Sequence, residues 1–156
     1  MDINASLPAW SPDGKSIAFI ALYPTTPPRR ISNPIHIVSL EGKTSRTLEI
    51  SNQYYAGGVV WPEQDRILCH LVSVKGKSGT GLYSVDLRSG QSDLLLSTTI
   101  GISGLRLLPD RKHIGFAETG KDGRSLGRVL GLDGKEPTEP LPPLGHFDGT
   151  WTKGEY

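Results

Sequence analysis

One pattern of apolar and turn residues occurs three times along the chain and begins a fourth time near the C-terminus. The copies span residues 7–19, 58–69, 104–116 and 147–156. The same place in successive copies is held by Trp10, Trp61, Leu107 and Trp151, which are 51, 46 and 44 positions apart. A spacing in this range indicates repeated supersecondary units, each of which buries its apolar face against its neighbours.

Each repeat divides into four short strands at its turn signals. In the first copy, the predicted strands are Ala9–Ser11, Ile17–Leu22, Ile35–Leu40 and Arg46–Leu48. Asp13 and Gly14 separate the first two, and Asp-Gly between apolar runs is a strong hairpin signal because both residues tolerate positive φ. The expected unit is therefore a four-stranded antiparallel meander.

The later copies keep this order with two changed turns. In the second copy the first turn, at Pro62–Asp65, has no glycine, which predicts a different turn type. In the third copy Arg111 stands in the place of Gly14, so the turn is either strained or of another type. The predicted second strands are Ile67–Val72 and His113–Glu118, and the predicted third strands are Leu82–Leu87 and Arg128–Leu132.

No long window has apolar residues at helical spacing, so the predicted fold class is all-β. Four-stranded sheets repeated at this period are typical of β-propeller blades. The predicted blades cover residues 7–50, 57–97 and 103–140, with the first strand of a fourth blade at 146–156. A β-sandwich is the alternative, but its strands would not repeat in groups of four with the same aromatic residue and turn.

The motif of the first copy resembles that of a known family. Trp10-Ser11-Pro12-Asp13-Gly14-Lys15 with Ile17-Ala18-Phe19, followed by Ile35-His36-Ile37-Val38-Ser39-Leu40-Glu41-Gly42, is similar to the repeat of TolB-like propellers, also called the WD40-like or PD40 repeat. The resemblance extends over nearly the whole chain and implies a propeller fold. The family includes periplasmic scaffolding proteins, sensor domains and the substrate-gating part of prolyl-oligopeptidase-like peptidases.

The resemblance also implies a ring of six or more blades, whereas three blades and one strand are predicted here. Two blade faces would then expose apolar area, which at about 25 cal/mol per Å² is costly to leave in water. The chain is therefore expected to be part of a longer propeller, or else to pair with a second copy that closes the ring.

The loops between the second and third strands are long and lie at one end of every predicted meander. They carry pairs of basic residues: Arg29, Arg30, Lys75, Lys77, Lys121 and Arg124. Long loops gathered on one face often bind ligands, and such a cationic arc attracts acidic peptides, anionic glycans or phosphate groups. The alternative is that these are ordinary solvated loops. Nucleic acid is not expected, because stacking aromatics are not interleaved with the basic residues.

Three kinds of functional site are not expected. Gly76-Lys77-Ser78 lacks the upstream glycine of a phosphate-binding loop, and Gly101-Ile102-Ser103-Gly104 lacks the spacing of a nucleophile elbow. The histidines, at positions 36, 70, 113 and 146, have no metal-ligand spacing with each other or with Cys69. The prediction is therefore a protein without catalytic residues, bound metal or cofactor.

The three tryptophans share one repeat position and are interpreted as packing between blades, with sugar stacking as the alternative. The net charge of +1 and the absence of a long apolar run predict no general affinity for nucleic acid and no membrane insertion.

The primary function hypothesis is a non-catalytic interaction or sensor module that binds a protein or peptide, of an acidic kind if the basic loops take part. The alternatives are the gating part of a serine peptidase whose catalytic domain lies outside these residues, and a structural homo-oligomer. No signal peptide is apparent; the compartment would be periplasmic for a secreted TolB-like protein and cytoplasmic for a sensor domain.

Overall fold

A computed structural model describes residues 4–22, 34–48, 54–73, 80–98, 102–119 and 125–136. This part of the chain consists of β-strands and turns and contains no helix. Its strands are β1 Asn4–Trp10, β2 Ser16–Leu22, β3 Ile35–Ser39, β4 Ser45–Leu48, β5 Tyr54–Glu63, β6 Arg66–Ser73, β7 Gly81–Asp86, β8 Ser92–Ser97, β9 Ile102–Leu107, β10 His113–Thr119 and β11 Ser125–Gly131.

The strands form three antiparallel sheets, one for each repeat. The first sheet has the order β1-β2-β3-β4, the second β5-β6-β7-β8 and the third β9-β10-β11. Within each sheet, every strand is therefore hydrogen-bonded to its neighbour in sequence, as a meander requires, and the predicted all-β propeller architecture is confirmed. The weak fourth strand of the third repeat, expected after the turn at Asp133-Gly134-Lys135, falls largely beyond residue 136 and so outside the described residues.

The first strands of the repeats adjoin one another. β5 is in contact with β1 and with β9, so the three inner strands stand side by side and the later strands of each sheet extend away from them. Successive side chains of a strand point to opposite faces of its sheet. We call the face toward the preceding repeat the leading face and the face toward the following repeat the trailing face.

The first apolar core lies between the first two sheets. Ala18 and Ile20 on the trailing face of the first sheet join Trp61, Ile67 and Cys69 on the leading face of the second. All five are buried, with Trp61 at 5% exposure. The core forms because alternation in β2 and β6 brings two apolar rows to one interface.

The second core repeats this arrangement between the second and third sheets. Leu68 and Leu82 of the second sheet pack with Ile114, Phe116 and Leu130 of the third. Ile67 and Ile114 occupy equivalent positions on the two leading faces, so the same face of each sheet covers the sheet before it. This repetition is the arrangement expected of consecutive propeller blades.

The interpretation of the tryptophans as packing between blades is confirmed for Trp61, and for Trp10 it stays a prediction. Trp61 lies within the first core, and its indole Nε1 donates to the carbonyl of Gln64 at 3.3 Å. Trp10 is 57% exposed. The difference arises because the leading face of the second sheet meets the first sheet, whereas Trp10 is on the leading face of the first. Trp151 lies outside the described residues.

Arg111 resolves the two alternatives for the third repeat's first turn. Its φ is 56°, close to the 69° of Gly14, so the turn type is retained and Arg111 takes the left-handed conformation. The Arg111 amide donates to the Leu108 carbonyl at 2.9 Å, just as the Gly14 amide donates to the Ser11 carbonyl at 2.9 Å. A side chain with a Cβ is strained there.

The first turn of the second repeat is different, as its missing glycine predicts. Glu63 pairs directly with Arg66, which leaves Gln64 and Asp65 as a two-residue connection. In the first repeat the last paired residues are Trp10 and Ile17, so its turn is longer.

Candidate functional site

The first turn of each repeat lies at the same end of the three sheets. The hydroxyl of Ser11 donates to Asp13 at 2.6 Å, and the same carboxylate accepts from the Lys15 amide at 3.0 Å. These hydrogen bonds, with that from Ser11 the largest influence, lower the pKa of Asp13. The charged carboxylate therefore stabilises its own turn, as turn aspartates commonly do.

Asp110 has the same role in the third repeat. Its carboxylate accepts from the Lys112 amide at 2.9 Å and lies 2.6 Å from Nδ1 of His113. The hydrogen bond from the His113 side chain is the main cause of the lowered pKa of Asp110. The predicted structural role of these aspartates accounts for their positions and contacts.

Contacts between neighbouring turns join the sheets at this end. Nε2 of Gln64 donates to the carboxylate of Asp13 at 3.3 Å, which links the first two repeats. Nη2 of Arg111 donates to the carbonyl of Pro62 at 3.3 Å, which links the second and third. We call this the turn end of the molecule; the segments between the second and third strands leave from the opposite end.

A groove runs along the three inner strands and has a volume of about 290 Å³. Its lining comes from β1, β5, β9 and the third repeat's first turn: Pro8, Ala9, Trp10, Val59, Val60, Trp61, Leu105, Arg106, Leu107 and Arg111. Most of these side chains are apolar, so the groove has the apolar surface with few polar groups that is common in binding sites.

Two arginines give the groove a positive character. Burial lowers the pKa of Arg106, which remains a cation at neutral pH because an arginine pKa starts so high. Arg111 reaches the groove from its strained turn. The groove can therefore accommodate an apolar group beside Trp10 and a hydrogen-bond acceptor or anion beside the guanidinium groups. Neither arginine was predicted from the sequence as a site residue; the departure from glycine at position 111 was the available signal.

The six basic residues predicted to form a binding face all lie outside the described residues: Arg29, Arg30, Lys75, Lys77, Lys121 and Arg124. The strand ends next to their segments are described. β2 ends at Leu22, β6 at Ser73 and β10 at Thr119, and each of these ends is opposite the turn end of its sheet. The placement of the basic side chains stays a prediction.

The histidine and cysteine side chains in the described part of the chain differ in burial and in the residues that they contact. His70 is 2% exposed, and burial lowers its pKa to about 4. Burial also raises the pKa of the Cys69 thiol to about 12, so this thiol is protonated and unreactive at neutral pH. His36 stacks on Phe19 with ring centroids 5.4 Å apart. Within the described ranges, no three His, Cys, Asp or Glu side chains are grouped as metal ligands are.

Ser103 lies within β9 and is exposed. It occupies a strand and not a strand-to-helix turn, in keeping with the prediction that it is not the nucleophile of an elbow motif. In the described portion of the chain, no helix is long and apolar enough to cross a membrane.

No family model matches the chain, and no curated protein sequence matches it. Solved structures do match. Over 84% of this chain and 30% of the other, TolB from Acinetobacter baumannii superposes with a TM-score of 0.62 and 18% identity. A chain of a nidogen/laminin complex superposes with a TM-score of 0.64 and 13% identity over 85% of this chain and 46% of the other.

A puromycin-hydrolysing peptidase of Mycobacterium tuberculosis also matches, with a TM-score of 0.62 and 16% identity over 83% of this chain and 20% of the other. The chain thus spans less than half the length of these matched proteins. Together with the repeated sheets, the matches show that the chain has a TolB-like β-propeller fold. The resemblance seen in the motif of the first repeat is confirmed at the level of the fold.

Proposed function

We propose that the chain is a non-catalytic interaction module that binds a protein or peptide at the end opposite the turn end. The observation that carries this proposal is the joining of neighbouring first turns. Gln64 contacts Asp13, and Arg111 contacts Pro62, so the three sheets have the same orientation. The strand ends that flank the three long segments are thereby gathered on one side.

The chemistry of those segments suggests an acidic partner. They contain Arg29 with Arg30, Lys75 with Lys77, and Lys121 with Arg124, opposed by Asp122 alone. A face with this excess of positive charge attracts acidic peptides and loses that attraction as salt increases. The apolar groove is a separate surface, because Arg111 of a first turn lines it and it therefore lies toward the turn end.

The test is binding of a fluorescent poly-glutamate peptide, followed by anisotropy at low and at physiological salt. One variant replaces Arg29, Arg30, Lys75 and Lys77 with serine. The matched control replaces four exposed lysines of the turn end with serine: Lys15, Lys43, Lys112 and Lys135. Both variants lose the same charge, so a difference between them reports where the peptide binds.

The expected result is binding by the wild-type chain and by the control, with clear weakening only in the loop variant. Equal weakening of both variants would mean that net charge alone attracts the peptide. Absence of binding at low salt would exclude the acidic-peptide proposal.

A second candidate function is the substrate-gating part of a prolyl-oligopeptidase-like serine peptidase. It rests on the fold likeness to the puromycin-hydrolysing peptidase. Its test is the coding sequence around these residues: a nucleophile-elbow motif downstream, followed by measured peptide hydrolysis by the longer protein, supports it. A DNA-binding or kinase region in its place supports the interaction module.

A further inference from the structure

The residue at position 111 departs from the repeat pattern in a way that costs strain. Its equivalent in the first repeat is Gly14, which takes the same left-handed backbone conformation without a Cβ. Arg111 takes that conformation at a φ of 56° and is strained by its Cβ. Strained positions of this kind cluster at ligand-binding and catalytic sites. Because Arg111 also lines the groove along the inner strands, the strained residue brings a cation to a concave surface.

The guanidinium group of Arg111 is held at the groove by a hydrogen bond to β5. Its Nη2 donates at 3.3 Å to the backbone carbonyl that precedes Glu63. A guanidinium group has five N–H donors, so this bond leaves donors that can bind a ligand.

The carboxylates adjacent to these contacts in the sequence have other partners. Asp110 lies 2.6 Å from Nδ1 of His113, and Glu63 lies 2.6 Å from Nη2 of Arg66. Among the residues that the structure describes, none forms an ion pair with Arg111. The charge of Arg111 is therefore not neutralised by a carboxylate of the described ranges.

The rest of the described lining is mostly apolar. Arg106 is a second cation, and no carboxylate is among the described lining residues. The walls include apolar residues of β5 and β9: Val59, Val60, Leu105 and Leu107. The groove volume of about 290 Å³ is near the lower end of the range of roughly 300 to 1,000 Å³ that is typical of ligand pockets. The groove therefore has the size for a small ligand, and its charge is complementary to an anion.

We infer that the groove binds a small organic anion that combines one carboxylate with an apolar group the size of a ring. The carboxylate accepts hydrogen bonds from the guanidinium group of Arg111, and the apolar part lies against the valine and leucine side chains. A hydrogen bond between two charged groups is stronger than a neutral one, and apolar contact adds to the affinity. This site is separate from the end of the molecule to which the proposed function assigns a peptide, so either proposal can fail without the other.

The experiment is isothermal titration calorimetry of the chain with three probes. Phenylpropionate has both chemical features, phenylpropionamide has the same ring without the charge, and acetate has the charge without the ring. Saturable binding of phenylpropionate is expected, with a dissociation constant of about 1 mM or lower. The amide and acetate should each bind about tenfold more weakly or not at all.

A pair of variants tests the role of Arg111. Arg111→Gln keeps a Cβ in the turn and removes the charge, so it should weaken phenylpropionate binding about tenfold or more and leave the response to the amide unchanged. The matched control is Arg88→Gln, which removes the same charge from an exposed arginine that is paired with Asp65 and does not line the groove. This control should bind phenylpropionate as the wild type does.

Three results would overturn the proposal. The first is the absence of saturable phenylpropionate binding by the wild-type chain, or equal affinity for phenylpropionate and either of the other probes. The second is wild-type affinity in Arg111→Gln. The third is equal weakening by Arg88→Gln, because net charge and not the groove would then attract the anion. Circular dichroism shows whether each variant keeps its β-structure; an Arg111→Gln variant that unfolds is replaced by Arg106→Gln, for which the same outcomes apply.

Discussion

The two interfaces between sheets have the same geometry but differ in one chemical feature. In the first, Ile20 faces the second sheet within a core of apolar side chains. In the second, the equivalent position holds His70, whose Nε2 accepts from the Ile102 amide at 3.4 Å and whose Nδ1 has no hydrogen-bond partner among the described residues. A buried polar atom without a partner is costly, so the second interface contains a titratable and less well satisfied site.

The difference shows that repeat architecture requires a side chain of suitable volume at this position and does not require an apolar one. Gly57 leaves room for the imidazole, because a Cβ there would lie 2.9 Å from Nδ1 of His70. The absence of a side chain at Gly57 and the size of the His70 imidazole are therefore sterically complementary. The core of the first interface is apolar, whereas the core of the second depends also on the protonation state of His70.

The largest expected effect comes from removing the aromatic anchor of the first interface. Trp61→Ala should lower the free energy of unfolding by about 3 to 5 kcal/mol, because it empties a large volume in a packed core. Trp10→Ala, at the equivalent but exposed position, should cost less than about 1 kcal/mol. Urea denaturation measures both. Equal losses would show that Trp10 is also buried.

The second prediction separates the interfaces by pH. Burial lowers the pKa of His70 to about 4, whereas an unfolded histidine titrates near 6.5, so the unfolded chain binds the proton more readily. Stability should therefore be highest above pH 6.5 and should fall between pH 6.5 and about 4, by at most about 3 kcal/mol.

His70→Leu is the comparison for this pH dependence. It should flatten the stability profile between pH 6.5 and 4 and leave the steeper acid loss, which comes from carboxylates with lowered pKa such as Asp110. Thermal unfolding at half-unit pH steps gives both profiles. Identical slopes in wild type and variant would show that His70 is not the group responsible.

The third prediction concerns the equivalent turns of the first and third repeats. Gly14 has a φ of 69°, so Gly14→Ala should lower the free energy of unfolding by about 1 to 2 kcal/mol. Arg111→Ala keeps a Cβ at a φ of 56° and adds no such strain. Ser45→Ala, on an exposed edge strand, is the control and should change stability by less than about 0.5 kcal/mol.

The smallest effects are expected for the side chains that join neighbouring turns. Arg111→Ala removes a hydrogen bond to the Pro62 carbonyl at the second interface and should cost about 1 kcal/mol. Gln64→Ala removes an exposed contact with Asp13 at the first and should cost less, about 0.5 kcal/mol. The reverse order, measured by denaturant unfolding, would mean that the turn contacts of the first interface are the stronger ones.

Much of the fold was predictable because its signals are local. Alternating apolar residues specified β2 and β6 to within one residue of their observed bounds. Asp13 with Gly14 predicted the hairpin between β1 and β2, and the missing glycine predicted a different turn at Gln64 and Asp65. The conformation of Arg111 was not predictable, because two turn types remained compatible with the sequence and the contact with Pro62 is visible only in three dimensions.

The candidate site was less predictable. The groove collects Trp10, Val60 and Arg106 from three repeats, and no sequence pattern places residues so far apart in the chain next to one another. The sequence pattern instead indicated the basic loops, whose residues lie outside the described part. The burial of His70 was also missed, since its neighbours on the third sheet come from a different repeat.

The amino-acid sequence determined the period of the repeat, the strand order and the alternation of side chains within each sheet, because these depend on contacts between residues close in the chain. Only the tertiary structure decided which alternating face became an interface. Trp10 and Trp61 have the same local pattern, yet one is exposed and the other buried. The physical reason is that burial depends on the presence of a neighbouring sheet, which is a property of the assembled molecule.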